Sequence, residues 1–260
     1  MRMAALFMAC LLGSGCVGSS FNLATQREEY TITSDAKEVA LGRKIARQVR
    51  EELPTVADEA LQQKVRSIGE RIVAVCDRRD LVYAFEVVQD ADINAFSLPG
   101  GYVFINEGLV KKTGSDDELA GVIAHEVAHI TARHSVKRYE SSLAAQLAQL
   151  ATVAARQGAA ARGMSIALRA AQLAHSRQAE LEADRLAVKY MTAAGFDPKA
   201  MLTFLETLQE TDRDKLRYLP RGVTRPQYAM THPYVPQRIR AVKEALFGVA
   251  DYIDYLNTPE

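Results

Sequence analysis

The chain has no excess of charge of either sign: lysine plus arginine number 32 in 260 residues, and so do aspartate plus glutamate. With no net field to steer it toward phosphates or acidic lipid, a nucleic-acid partner is not expected. Beyond its first dozen residues it lacks an apolar run of the roughly 20 residues that a membrane-spanning helix needs. It shows no repeat array and no sign of a second domain. Cysteines are scarce, at 3. Leu61, Val65, Ile68, Ile72 and Cys76 recur at helical spacing, so Cys76 reads as a small buried apolar residue. Cys10 lies in the first apolar run, and no disulfide framework is expected. What remains, 48% apolar and 25% charged residues, is the composition of an ordinary folded domain.

The N-terminus reads as a separate module. Met1-Arg2-Met3 precedes an apolar run from Ala4 to Leu12, then Gly13-Ser14-Gly15 and Cys16. A short basic start, a brief apolar core and a small-residue exit describe a secretory signal. Gly15-Cys16 resembles a bacterial lipoprotein signal, in which the cysteine becomes the lipidated first residue, although Gly13 stands where leucine is usual. Val17, rather than aspartate, is compatible with sorting to the outer membrane. The expected division is a signal peptide at 1–15, a polar tether at 16–34 and one domain at 35–260. The expected place is the periplasmic side of a bacterial envelope, anchored through Cys16 or else soluble.

A helix is expected from Asp35 to Glu52, with Asp35 and Glu38 at capping-box spacing and Pro54 as its far limit. A second is expected at roughly 57–77, carrying the Leu61–Cys76 stripe. Tyr83, Phe85 and Val87 alternate as a strand does. The stretch 94–105 reads as two short strands around Pro99-Gly100-Gly101, one of them positioned to pair with an extended substrate. Ser115 and Glu118 have capping-box spacing ahead of a helix carrying Leu119, Val122, Ile123, Val127 and Ile130. Residues 141–174 are alanine-rich and expected to be helical. They read either as helices packed on the domain or as a flap or contact surface through Leu143, Leu147 and Leu150. Gly195, Asp197 and Pro198 mark a helix end and a new start, and a last helix is expected near 236–248.

Within the buried helix stands His125-Glu126-Val127-Ala128-His129. By the 3.6-residue period the two histidines lie about 40° apart around the axis and can close on one metal. Zinc takes imidazole nitrogens and, in catalytic sites, keeps one of four positions open for water. Glu126 is then free to handle that water's proton. The competing reading, two solvated histidines on a surface helix, fits poorly beside Ile123, Val127 and Ile130. A further ligand is expected from a helix at about 172–194, where Glu180 and Asp184 share a face and Glu182 points elsewhere. One would bind metal and the other hold a ligand histidine through its second nitrogen. Spacing alone leaves open which does which.

The ordered blocks Asn94–Ile105, Gly108-Leu109, Glu118–Ile130, Ser176–Asp184, Gly195–Pro198, Thr231-His232-Pro233 and Arg238-Ile239 resemble the M48 (Ste24/HtpX-like) zinc metallopeptidases, over roughly residues 35–245. The resemblance implies an α+β, mainly helical fold with a zincin-like core, a small antiparallel sheet and the His-Glu-x-x-His helix. It implies one Zn2+ per chain on His125, His129 and Glu180, with Glu126 as general base and Asp184 behind a ligand histidine. It places His232 over the cleft, steadying an oxyanion or occupying the open metal position at rest. Arg238 is a possible partner of a site carboxylate, or else a surface residue. His134 and His175 match no ligand position and read as structural or exposed. The chain lacks the transmembrane helices and the tetratricopeptide-like repeats of other family members. The expected activity is zinc-dependent endopeptidase cleavage of unfolded or misassembled envelope proteins, alongside possible envelope assembly machinery. The alternative is a latent or non-catalytic zinc-containing assembly factor.

Overall fold

In the computed structural model the described residues are 18–141, 175–218 and 231–257. The expected signal segment, Cys16 and the stretch 142–174 lie outside them. Helix starts follow the local chemistry. Ser115 caps α4 (Asp116–Thr131), its hydroxyl accepting from Glu118 N at 3.1 Å, and the Glu118 carboxylate returns to Gly114 N at 2.7 Å. In α1 (Asp35–Glu52) the cap is Ser34, one residue before the expected Asp35. Glu38, expected in the capping box, is buried instead. It accepts from Arg78 Nη1 at 2.8 Å and from Gly100 N at 3.2 Å. A buried carboxylate needs charged partners more than a helix start needs a second cap. Asp58 caps α2 (Glu59–Val73) by accepting from Leu61 N at 3.0 Å.

β3 (Ala84–Val88), β4 (Ala95–Leu98) and β5 (Tyr102–Asn106) form one sheet in the order β3-β5-β4. β4 and β5 make the expected antiparallel hairpin, with Ala95 opposite Ile105 and Leu98 opposite Tyr102. Its turn uses Gly100 at φ 77° and Gly101 at φ 100°, angles that L side chains resist. β3 joins on the far side of β5 in parallel, and β4 remains an edge. α1 crosses close above this turn: a Cβ on Gly42 would stand 1.8 Å from Pro99 O.

After the short α3 (Glu107–Lys112), α4 is buried at every residue from Leu119 to Thr131 and forms the centre of the molecule. It packs on α2, on the sheet, on α5 (Arg177–Ala193) and on α6 (Lys199–Tyr218). Ile123, Val127 and Ala128 belong to the same apolar cluster as Ile72, Ile105 and Met191. Each large side chain so buried stabilises the fold by about 1.5–3 kcal/mol. α7 (Val235–Asn257) lies across α5 and α6 and is interrupted at Gly248, where φ is 72°. The result is the mainly helical fold with a small sheet that the sequence predicts.

The segment read as a polar tether contains an antiparallel hairpin, β1 (Gly18–Asn22) with β2 (Arg27–Thr31). Asn22 Nδ2 donates to Thr131 O, at the end of α4, at 3.1 Å. Lys137 Nζ donates to Glu29 at 2.6 Å.

Candidate metal centre

α4 carries both motif histidines on the face turned to α5, because residues four apart sit one above the other on a helix. Their Nε2 atoms stand 3.0 Å apart. From α5, Glu180 brings Oε2 to 3.5 Å from His125 Nε2 and Oε1 to 3.4 Å from His129 Nε2. Donors about 2.0–2.1 Å from a tetrahedral metal lie about 3.3 Å from one another, so this triangle has the size of a zinc site. His232 supplies a fourth donor, and the ligand atoms of all four residues lie within 4.8 Å of one another. All four are buried.

Two oxygens at this place are buried without a hydrogen bond: Glu126 Oε2, and Glu180 Oε2, which has Arg238 Nη1 at ion-pair distance only. Such atoms are rare in a folded interior and point to an ion or water as their partner. Charge agrees. Three carboxylates, of Glu126, Glu180 and Asp184, surround the cluster and outnumber the guanidiniums of Arg238 and Arg138. Burial disfavours charge on Glu180, yet His232, Arg238 and the motif histidines hold its carboxyl well below the usual carboxylate range. Burial and Arg238 lower His125, but Asp184 and Glu180 outweigh them and raise its pKa to about 9. The centre is built to receive positive charge, and its nitrogen and oxygen donors fit zinc.

Each motif histidine is held from behind. Asp184 Oδ1 lies 2.8 Å from His125 Nδ1 and is itself gripped by Arg238, Nε to Oδ2 at 2.9 Å and Nη2 to Oδ1 at 2.8 Å. Arg238 also places Nη1 3.3 Å from Glu180 Oε2. It is 1% exposed and ion-paired to both Asp184 and Glu180, so it is not a surface residue of its helix.

Behind His129 stands His134, Nδ1 to Nδ1 at 2.9 Å, and behind His134 stands Glu182 at 3.2 Å from Nε2. An imidazole that offers Nε2 to a metal carries its proton on Nδ1. With metal on Nε2, His129 would donate to His134, and His134 would donate from Nε2 to Glu182. Burial holds His134 below its usual pKa, and the same hydrogen bond lowers Glu182. Both directions agree with a neutral His134 beside a carboxylate. His175 stacks on the His129 ring, centroids 3.7 Å apart, and accepts from Arg138 at 2.6 Å. Sequence reasoning missed these roles for His134, Glu182 and His175.

The Thr231-His232-Pro233 loop is tied to the sheet edge. Thr231 Oγ1 donates to Asn94 Oδ1 at 3.0 Å and Thr231 O accepts from His175 N at 3.2 Å. His232 Nε2 lies 3.2 Å from Ala95 O, on the outer side of β4, and 3.4 Å from Glu126 Oε1; its Nδ1 lies 3.3 Å from Glu180 Oε1. The structure thus brings His125, Glu126, His129, Glu180, Asp184, His232 and Arg238 into one buried centre.

His-Glu-x-x-His on a buried helix, completed by a glutamate from α5, defines the class as metallopeptidase. The model of peptidase family M48 matches residues 59–246, and the chain belongs to that family. The beta-barrel assembly-enhancing protease of Yersinia pestis is 33% identical over 216 residues, 78% of this chain and 42% of that protein. The mitochondrial metalloendopeptidase OMA1 of Schizosaccharomyces pombe is 33% identical over 182 residues, 70% of this chain and 52% of that protein. The chain spans about half the length of the curated relatives it matches. Motif, donor set and family together support a catalytic zinc metallopeptidase.

Proposed function

We propose that this chain is a zinc-dependent endopeptidase of the bacterial envelope. The observation that carries the reading is the convergence of Glu180 on the two motif histidines. We assign His125, His129 and Glu180 as ligands of one zinc per chain, which when bound would polarise the scissile carbonyl and acidify the attacking water. Glu126, buried beside the cluster with one oxygen unpartnered, takes the proton and passes it to the leaving amine. Asp184, held by Arg238, fixes the proton of His125 on Nδ1. An extended substrate would lie along the open side of β4, pairing with its backbone. Unfolded or misassembled proteins offer such unpaired backbone. Relatives named for β-barrel assembly support an envelope substrate and a link to assembly machinery.

The envelope reading extends to the N-terminus: 1–15 as signal peptide, Cys16 lipidated, and the domain on the periplasmic side of the outer membrane. No helix among the described residues is long and apolar enough to cross a membrane.

One observation favours a second reading. His232 sits against Glu180 and Ala95 O, so it occupies both the fourth donor position and the carbonyl an extended substrate would use. In that form the centre is closed, and the chain would act as a latent enzyme or a non-catalytic assembly factor until the loop moves. Glu126→Gln separates peptidase from assembly factor. It should keep zinc and fold while losing cleavage of an unfolded protein by at least about 100-fold. Near-normal turnover at equal zinc content would defeat Glu126 as the base.

A further inference from the structure

Among the described residues, large apolar side chains in full view of solvent are few, and most stand on one face of the β1–β2 hairpin. Phe21 is 56% exposed, Leu23 59%, Tyr30 69% and Ile32 53%. The register pairs Ser19 with Tyr30 and Phe21 with Glu28, which puts Phe21 and Tyr30 on the same side. Glu28 lies on this side too, opposite Phe21, while Leu23 in the turn and Ile32 in the bend after β2 flank the pair in the chain. The opposite face is polar. It carries Asn22 and Glu29, which bond to Thr131 O and to Lys137. A hairpin lying on a domain ordinarily turns its apolar side inward. This one is reversed, and it is held that way. Ile32 N and Thr33 N both donate to Glu140 Oε1, at 3.1 and 2.9 Å, which fixes the strand exit as well.

The position of the hairpin in the chain, just after Cys16, bears on what covers the reversed face. Phe21 follows Cys16 by five residues, a reach of at most about 18 Å. We propose that the face formed by Phe21, Leu23, Tyr30 and Ile32 docks on the lipid surface in which the Cys16 anchor is embedded; this rests on the lipoprotein reading above. Aromatic and branched aliphatic side chains are those that settle at the boundary between headgroups and acyl chains. A lipid anchor alone leaves a domain free to tumble. A second, rigid contact fixes its orientation. Asn22 bonds to the last residue of α4, so docking would set the direction in which the metal-bearing helix and its cleft face the membrane.

The chain contains no tryptophan, so one introduced indole reports only its own surroundings. Tyr30→Trp places it on the proposed face. Glu51→Trp, at the exposed far end of the 18-residue α1, places it about 25 Å along that helix from the hairpin's exit. Each full-length variant is isolated with its processed N-terminus determined by mass spectrometry. It is then mixed with phosphatidylethanolamine–phosphatidylglycerol vesicles with or without brominated acyl chains. The expected result is an acylated N-terminus and bromine quenching several-fold stronger for Tyr30→Trp than for Glu51→Trp. An acylated, vesicle-bound protein with equally weak quenching at both positions overturns the docking face and leaves the anchor standing. An unmodified N-terminus refutes the anchor alone. In that case preferential quenching of Tyr30→Trp by added vesicles still supports the face, and its absence overturns the face too. A Tyr30→Trp blue shift that grows with protein concentration and ignores bromine assigns the face to a second copy and overturns the proposal.

Discussion

His134 gives the sharpest test of the metal centre, because it touches no expected ligand atom and yet fixes one. Its Nδ1 lies 2.9 Å from His129 Nδ1, and both rings are buried. Replacing it with alanine leaves a buried N–H on His129 with no acceptor, which costs about 1–3 kcal/mol. The penalty falls on the metal-bound state in particular. Metal on Nε2 obliges the proton to sit on Nδ1, whereas a metal-free ring can move its proton to the other nitrogen. Loss of such a supporting partner weakens metal binding by about 10- to 100-fold. His134→Ala is therefore expected to raise the zinc Kd by that factor, with secondary structure unchanged.

Glu182 is one step further out and partly exposed, its side chain at 20%. Water can replace it, so Glu182→Ala should weaken zinc by only a few-fold, and Glu182→Gln, which keeps an acceptor oxygen, by less. The assay is competition for zinc against a chromophoric chelator, with the visible spectrum of the cobalt-substituted protein as a second readout of ligand geometry. A merely structural role for His134 would lower thermal stability and leave the Kd and the cobalt spectrum as in wild type. That outcome would refute the relay.

The remaining expectations concern ligands, loop and scaffold. Glu180→Ala should lose zinc almost entirely, while Asp184→Ala, which removes the support of His125 and one carboxylate partner of the buried Arg238, should weaken it by about 10- to 100-fold; equal losses would mean the two carboxylates have been assigned wrongly. His232→Ala should leave zinc bound and change turnover. A rise in basal cleavage marks the imidazole as a plug on Ala95 O and the fourth donor position, a fall marks it as an oxyanion partner, and unchanged turnover would remove it from the site. Gly42→Ala puts a methyl 1.8 Å from Pro99 O, a backbone atom that cannot swing aside. It should destabilise the fold by about 1–3 kcal/mol in chemical denaturation, as overpacking does, and a neutral result would show that α1 is free to shift from the β4–β5 turn.

How much of this was legible in the sequence depends on how local the signal was. The His125–His129 pair, the burial of its helix and the Gly100-Gly101 turn are written in adjacent residues, and the structure has them all. The division of labour between Glu180 and Asp184 was legible only as a shared face. The contacts that separate them come from elements far apart in the chain: Asp184 lies on His125 Nδ1 and under Arg238 of α7, whereas Glu180 faces both motif Nε2 atoms. The capping pair at Asp35 and Glu38 has the right spacing and the wrong outcome, since Glu38 answers to Arg78, far away in the chain.

His134 escaped for a different reason. It lies five residues after His129, off the helical face, and α4 has already ended at Thr131. Arg133 takes φ 56°, a left-handed turn that side chains rarely adopt. It is held there by bonds to Asp35 Oδ1 and Thr33 O at 3.0 and 2.8 Å. That turn brings His134 back beneath the helix it has just left. No periodicity argument sees such a step, because its cause is a contact with the exit of the N-terminal hairpin. The same hairpin was read as a tether because Asn22, Glu28 and Glu29 make the segment look polar. Its alternation is present in the sequence, but it runs opposite to the usual sense, with Asn22 and Glu29 turned toward the domain and Glu28 on the outer side beside Phe21. A pattern search that assumes the apolar side faces inward passes over it. The residues that position the second motif histidine and the residues that present an apolar face to solvent are thus joined through Arg133 and Thr33.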